Sequence, residues 1–218
     1  MNVKRSVHAV FLVQMFFWCA QLYAQNQDTG RSENTDALAE YRAGNYQRAV
    51  SICQDEIARD PSNLESHVVI GWSLLKLGRY DEARTYAQNG RRLNYYDARI
   101  VEILGEASYF QGQNAEALVF FEEYIGLAPD GSRIDIVYYY IGEIFIRQGR
   151  FRHADISLST ALHYVPLNAA WWTRLGYARE QAGEPVEALK AYEKALALDA
   201  QLADARRGID RIRVSLSR

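Results

Sequence analysis

The sequence is short of the residues that staple or interrupt a chain. It holds two cysteines, Cys19 and Cys53, four prolines and two methionines among 218 residues. Two cysteines cannot build a disulfide scaffold or a four-cysteine zinc site. Four prolines and 14 glycines exclude a collagen-like or low-complexity chain. An excess of one charge is missing too: 25 Lys and Arg face 27 Asp and Glu, a formal net charge of −2. That balance excludes the basic footprint of a nucleic-acid-binding chain. The apolar run from Ala9 to Ala20, broken by Gln14, is shorter than the roughly 17–25 residues of a membrane-spanning helix. What is present is ample apolar material, 49% of the chain, for a buried core.

Residues 1–24 read as a targeting segment. Lys4 and Arg5 precede the apolar run, no acidic residue occurs, and Leu22-Tyr23-Ala24 offers a small residue before polar Gln25-Asn26-Gln27-Asp28. A basic start, a short apolar stretch and a small residue at the cut describe a secretory signal peptide, cleaved after Ala24. Retention as a short membrane anchor is the alternative. A lipoprotein signal fits poorly, because Cys19 follows Phe16-Phe17-Trp18. Cleavage leaves 23 basic against 27 acidic residues, a net −4, and Cys53 as the one thiol. Stability then has to come from packing.

The remainder repeats. Gly44, Gly78, Gly112, Gly149 and Gly183 are each followed five residues later by Ala, at spacings of 34, 34, 37 and 34. Seven residues before each glycine stands Ala37, Gly71, Gly105, Gly142 or Gly176, and Pro61, Pro129 and Pro166 stand 17 after three of them. A 34-residue period reads as two amphipathic helices joined by a tight turn. In the fourth unit Tyr138, Ile141, Gly142 and Phe145 share one helical face, and Gly149 supplies the left-handed end of that helix. A second stripe follows through Ala154, Leu158, Ala161 and Leu162. Gly142 and Ala154 predict a close approach of the two helices, and Pro166 ends the second.

With Trp172, Leu175, Gly176, Ala188, Tyr192 and Ala195, the fifth unit resembles the tetratricopeptide repeat family. It departs from the pattern at Arg179, where Tyr is usual, and at Ala200, where Pro is usual. The fourth unit keeps Tyr138, Ile141, Gly142, Phe145, Ala154, Leu158, Ala161 and Pro166; in the second, Ala87 and Gly90 are small for their columns. The first has polar Glu33, Asp36 and Glu40 in its opening helix, as suits a solvent-facing end. The resemblance implies an all-α, right-handed α-solenoid of about five helix-turn-helix units over 25–202, at 30–63, 64–97, 98–131, 135–168 and 169–202. The 37-residue spacing puts a three-residue insertion near Asp130-Gly131-Ser132-Arg133. Residues 203–218, with Ile209, Ile212 and Val214 amid Arg206, Arg207, Arg211 and Arg213, read as a capping helix.

No catalytic, cofactor or metal constellation is expected. His67, His153 and His163 fall at different places in the repeat, and no metalloprotease, phosphate-loop or nucleophile motif occurs. Cys53 reads as packed filler on a second helix. In this family the first helix of each unit lines a concave groove. Carried onto this sequence, the corresponding positions give Trp72 and Leu75, Glu106 and Tyr109, Tyr139, Glu143 and Ile146, and Tyr177 as a partner-binding stripe. Aromatic anchors with a polar rim suit an interaction surface. The family's chaperone-binding members hold a carboxylate with Lys and Asn, but Trp72, Glu106, Glu143 and Tyr177 stand at the usual Asn position, so that mode is not expected.

The resulting expectation is a non-catalytic adaptor, exported to a periplasm or cell envelope. Its groove is expected to hold a protein or peptide segment with apolar anchors and one or two Lys or Arg. Alternatives are a carrier of an apolar small molecule or lipid, and self-association through the tail from Ile209 to Leu216. A membrane-associated partner stays open, and nucleic acid is not expected.

Overall fold

A computed structural model describes residues 36–216. The leader expected over 1–24, and Glu33 of the first unit, lie outside the described residues. Among those described, eleven helices follow one another in antiparallel pairs: α1 (Ala37–Arg42) with α2 (Tyr46–Arg59), α3 (Leu64–Lys76) with α4 (Tyr80–Leu93), α5 (Ala98–Phe110) with α6 (Asn114–Leu127), α7 (Ile134–Arg147) with α8 (Phe151–Tyr164) and α9 (Ala169–Gln181) with α10 (Pro185–Leu198). A last helix, α11 (Ala203–Leu216), caps the array.

Local chemistry sets each boundary. At the turn inside each pair Gly44, Gly78, Gly112, Gly149 and Gly183 take φ between 70 and 83°, a region that side chains with a Cβ avoid. At Gly149 the closing bonds run from the Gly149 N–H to the Ile146 carbonyl and from the Arg150 N–H to the Phe145 carbonyl. They satisfy carbonyls that the end of α7 would otherwise leave unpaired. The first helices of pairs are capped from the other side: Asn63, Asp97 and Asn168 accept from the backbone N–H of Ser66, Arg99 and Trp171. Second helices stop just short of Pro61, Pro129 and Pro166.

Within three pairs a glycine faces the residue sixteen positions on. A Cβ on Gly105, Gly142 or Gly176 would lie 2.6, 2.7 and 2.6 Å from Phe121, Leu158 and Tyr192. The close approach in the fourth unit is therefore made by Gly142 against Leu158, one turn beyond Ala154, which is itself fully buried. In the second unit the corresponding residue is the small Ala87, and the next unit compensates. Ile103 of α5 comes within 2.8 Å of the place a Gly71 Cβ would take, and Ile100 within 2.7 Å of that at Gly90.

The first helices of successive pairs approach one another, α1 to α3, α3 to α5, α5 to α7 and α9 to α11, whereas among the described residues the backbones of successive second helices stay farther apart. The first helices therefore form the inner, concave row. The core is a chain of clusters, each straddling neighbouring pairs, as expected when every unit buries its apolar face on the next. Cys53 is fully buried in the first of these, and burial pushes its thiol up to about 12. At the far end Ala205, Gly208, Ile209 and Ile212 of α11 are buried. Of the tail from Ile209 to Leu216, Ile209 and Ile212 are buried in the chain's own cap, whereas Val214 and Leu216 are exposed.

Candidate protein-interaction groove

The stripe expected from the sequence divides in two on the concave row. Trp72, Tyr139, Ile146 and Tyr177 are half-buried and keep surface on the groove. Leu75, Glu106, Tyr109 and Glu143 are buried, so they shape the wall from behind. The exposed members are held in place by neighbours. The Trp72 indole N–H donates to Glu102 Oε2 at 2.9 Å, and its ring stacks on Tyr41 with centroids 5.8 Å apart. Tyr139 stacks on Trp171 at 4.8 Å, and burial pushes its phenol up to about 12. The Arg174 guanidinium lies over the Tyr177 ring, 5.4 Å from its centroid. Rings fixed this way lose little freedom on meeting a ligand.

The carboxylates expected to await a basic partner are engaged within the chain. Arg174 grips Glu143 with two bonds, Nε to Oε1 at 2.6 Å and Nη2 to Oε2 at 2.9 Å. Arg133 spans two carboxylates: its Nε donates to Glu102 Oε1 at 2.8 Å and its Nη2 to Glu106 Oε1. Glu102 is 1% exposed and Glu106 4%. This corrects the reading that Glu106 and Glu143 select Lys or Arg on the partner, because arginines of the same chain already occupy them. The Glu106 carboxyl is pushed up, first by burial and then by the neighbouring Glu102, and Arg133 offsets only part of that. Burial works against the Arg133 charge, but the two carboxylates outweigh it and hold the guanidinium charged. A cavity of about 290 Å³ lies at the C-terminal end of the groove, lined by Thr173, Arg174, Tyr177, Tyr192 and Arg211 among others.

Sequence reasoning missed the two arginines. Arg133 was placed only within the insertion. It sits at the N-cap of α7, where its side chain caps nothing and reaches back to α5 instead. The insertion is anchored by the Arg133 N–H, which donates to Tyr124 Oη at 3.2 Å. The signal that could have found both arginines is an offset of 31 residues between Glu and Arg. It recurs in Glu102–Arg133, Glu143–Arg174 and Glu180–Arg211. An outer ladder at offset 32 joins second helices, Arg84 with Glu116 and Arg91 with Glu123. Arg179, the departure from the repeat's usual Tyr, pairs with Asp155 at 2.9 Å.

The histidines do not converge. His67 is buried beside the Pro61 carbonyl, His153 packs near Phe145, and His163 lies beside Tyr164. Among the described residues no group of three or more His, Cys, Asp or Glu is placed to hold a metal ion.

Comparison with known proteins agrees with this geometry. A family model described as tetratricopeptide repeat matches residues 68–132 and 139–203, more than half of the chain. A second, described as anaphase-promoting complex, cyclosome, subunit 3, matches residues 15–90. The DnaJ homolog subfamily C member 7 homolog of Schizosaccharomyces pombe is 28% identical over 149 residues, covering 60% of this chain and 31% of that protein. The BBSome complex member BBS4 homolog of Drosophila melanogaster is 24% identical over 186 residues, 77% of this chain and 37% of that protein. The chain thus spans about a third of the length of these relatives. Among solved structures, MamA superposes with a TM-score of 0.65 at 21% identity, covering 77% of this chain and 96% of that one. The Cut9-Hcn1 hetero-tetramer of the APC/C gives 0.71 at 17% identity, covering 81% of this chain and 35% of that one. YrrB, described as a TPR protein with an unusual peptide-binding site, gives 0.64 at 16% identity, covering 78% and 87%.

Proposed function

Because the chain belongs to the tetratricopeptide repeat family, whose members are protein-interaction scaffolds, we propose that its concave row binds a peptide segment of a partner protein. The observation that carries this reading is the fixed, half-exposed stripe of Trp72, Tyr139, Ile146 and Tyr177 along the first helices. Aromatic side chains held by stacking and hydrogen bonds supply apolar contact area at little entropic cost. With Glu106 and Glu143 neutralised internally, recognition rests on apolar anchors of the partner, and salt affects it only modestly. Export to a periplasm or envelope is part of the proposal, supported by the leader-like residues 1–24. Mass spectrometry of protein from its own host, beginning at Gln25, tests that part separately.

The groove is tested with a displayed library of random dodecapeptides. Enriched peptides should bind the native chain and lose at least about tenfold in affinity, roughly 1.4 kcal/mol, to the variant Trp72→Ala with Tyr139→Ala. Far-UV helicity should be retained. Undiminished binding by the double variant would make the groove reading wrong. A lipid or other apolar molecule carried through gentle purification, seen by native mass spectrometry, would replace it with a carrier role.

A further inference from the structure

Many arginines in this protein are paired with carboxylates of the same chain, Arg79, Arg84, Arg91, Arg99, Arg133, Arg174, Arg179 and Arg211 among them, whereas Arg42, Arg59, Arg92, Arg206 and Arg213 make no such bridge among the described residues. The turn between α7 and α8 gathers three unbridged arginines in one place. Arg147, Arg150 and Arg152 are exposed there with His153, in a string of seven residues that contains no acid. Among the described residues none of the three has a carboxylate partner. Arg147 lies over the Tyr109 ring at 4.2 Å and reaches the Asn114 amide oxygen at 3.4 Å, and Arg150 lies over Phe145 at 4.5 Å. Glu116, Glu143 and Asp155 are bridged to other arginines, Arg84, Arg174 and Arg179.

The position is also unfavourable for stability. The first turn of a helix carries the positive end of its dipole and favours acids. α4, α6 and α10 follow this with Asp81 and Glu82, Glu116, and Glu187, while α2 has no acid in its first turn. α8 instead opens on Arg150, Arg152 and His153 with no acid in its first turn. Cations gathered where the helix itself is positive, over aromatic rings that hold their planes, present unused N–H donors to solvent.

We propose that this turn, beside the groove at the end of α7, is a second interaction surface, which binds a short acidic segment of a partner polypeptide. Guanidinium groups take carboxylates in paired hydrogen bonds. The patch spans one turn. A short run of Asp or Glu matches that extent, and its carboxylates complement the charge. Nucleic acid binding draws on many phosphate contacts along a chain, and three guanidinium groups supply few.

Fluorescence anisotropy on the full chain tests this with a labelled peptide of alternating Glu and Asp, and a Gln/Asn peptide as control. The acidic peptide should bind at about 50 mM salt and weaken at least about tenfold at about 300 mM. The variant carrying Arg147→Gln, Arg150→Gln and Arg152→Gln should bind at least about tenfold more weakly with unchanged helicity, since its side chains are exposed. The groove variant Trp72→Ala with Tyr139→Ala should bind the acidic peptide as the native chain does. That arm separates the two surfaces, so failure of one leaves the other standing. Equal binding of acidic and control peptides, or full binding by the triple variant, overturns the proposal. So does a preference for phosphatidylserine vesicles or oligothymidylate over the acidic peptide.

Discussion

Glu143 on α7 and Arg174 on α9 are thirty-one residues apart and meet through two parallel hydrogen bonds of 2.6 and 2.9 Å. The same offset joins Glu102 to Arg133 and Glu180 to Arg211. For Glu143–Arg174 and Glu180–Arg211 it is one 34-residue period less about one helical turn, and for Glu102–Arg133 it is the local 37-residue spacing less six residues. Each bridge thus ties a first helix to the next element of the concave row, Arg133 doing so from the N-cap of α7. Arg174→Met should strand a carboxylate that is 9% exposed and lower stability by about 1–3 kcal/mol in urea denaturation. Adding Glu143→Leu should restore most of the loss, because two well-packed apolar groups replace such a pair at little cost. Equal instability of the single and double variants would show that the pair does not act as a unit.

Glycine spacing makes a second test. A Cβ on Gly176 would stand 2.6 Å from the Tyr192 ring, which is fully buried and hydrogen-bonded to Glu180. Gly176→Ala should cost about 1–3 kcal/mol through overpacking. Gly126, inside α6, meets nothing within 4 Å. Gly126→Ala should stabilise by about 0.5–1 kcal/mol, because alanine orders into a helix more readily. Thermal unfolding of the two variants side by side decides it; equal shifts would refute the sixteen-residue contact.

The shared guanidinium at Arg133 predicts a pH dependence. Burial raises the Glu106 carboxyl above its unfolded value. The stability it contributes is therefore fully present below the unfolded value of about 4.3 and is lost as pH rises through the higher folded value. Glu106→Gln copies the protonated form: its oxygen can accept from Arg133 and its amide can donate to Glu102. The variant should match the native chain near pH 5 and exceed it near pH 8 by about 1–2 kcal/mol. A variant less stable at both pH values by the same amount would count against an elevated Glu106.

The repeat and its turns were legible because backbone geometry imposes them residue by residue. Each positive φ needs a glycine, and Pro61, Pro129 and Pro166 mark where a second helix must stop. Half of the candidate stripe was less legible. Trp72 and Glu106 both belong to the first helices, yet one keeps surface and the other is covered. Coverage depends on how far successive helices close on each other, and the three-residue insertion before α7 carries Arg133 across α5. No local pattern in residues 102–106 announces that arm.

The scarcity of cysteine, proline and net charge, set against a 34-residue period, was enough to determine an array of helix pairs, since such a chain can bury its apolar faces only between neighbours. The order of helices and the glycine turns belong to the sequence alone, while the inward side of each unit follows from how the first helices pack. The electrostatics of the groove were decided by the tertiary structure. Charges cancel only when side chains from different units come within hydrogen-bond distance. That places Arg133 on Glu102 and Glu106, Arg174 on Glu143, and leaves Arg147, Arg150 and Arg152 turned outward.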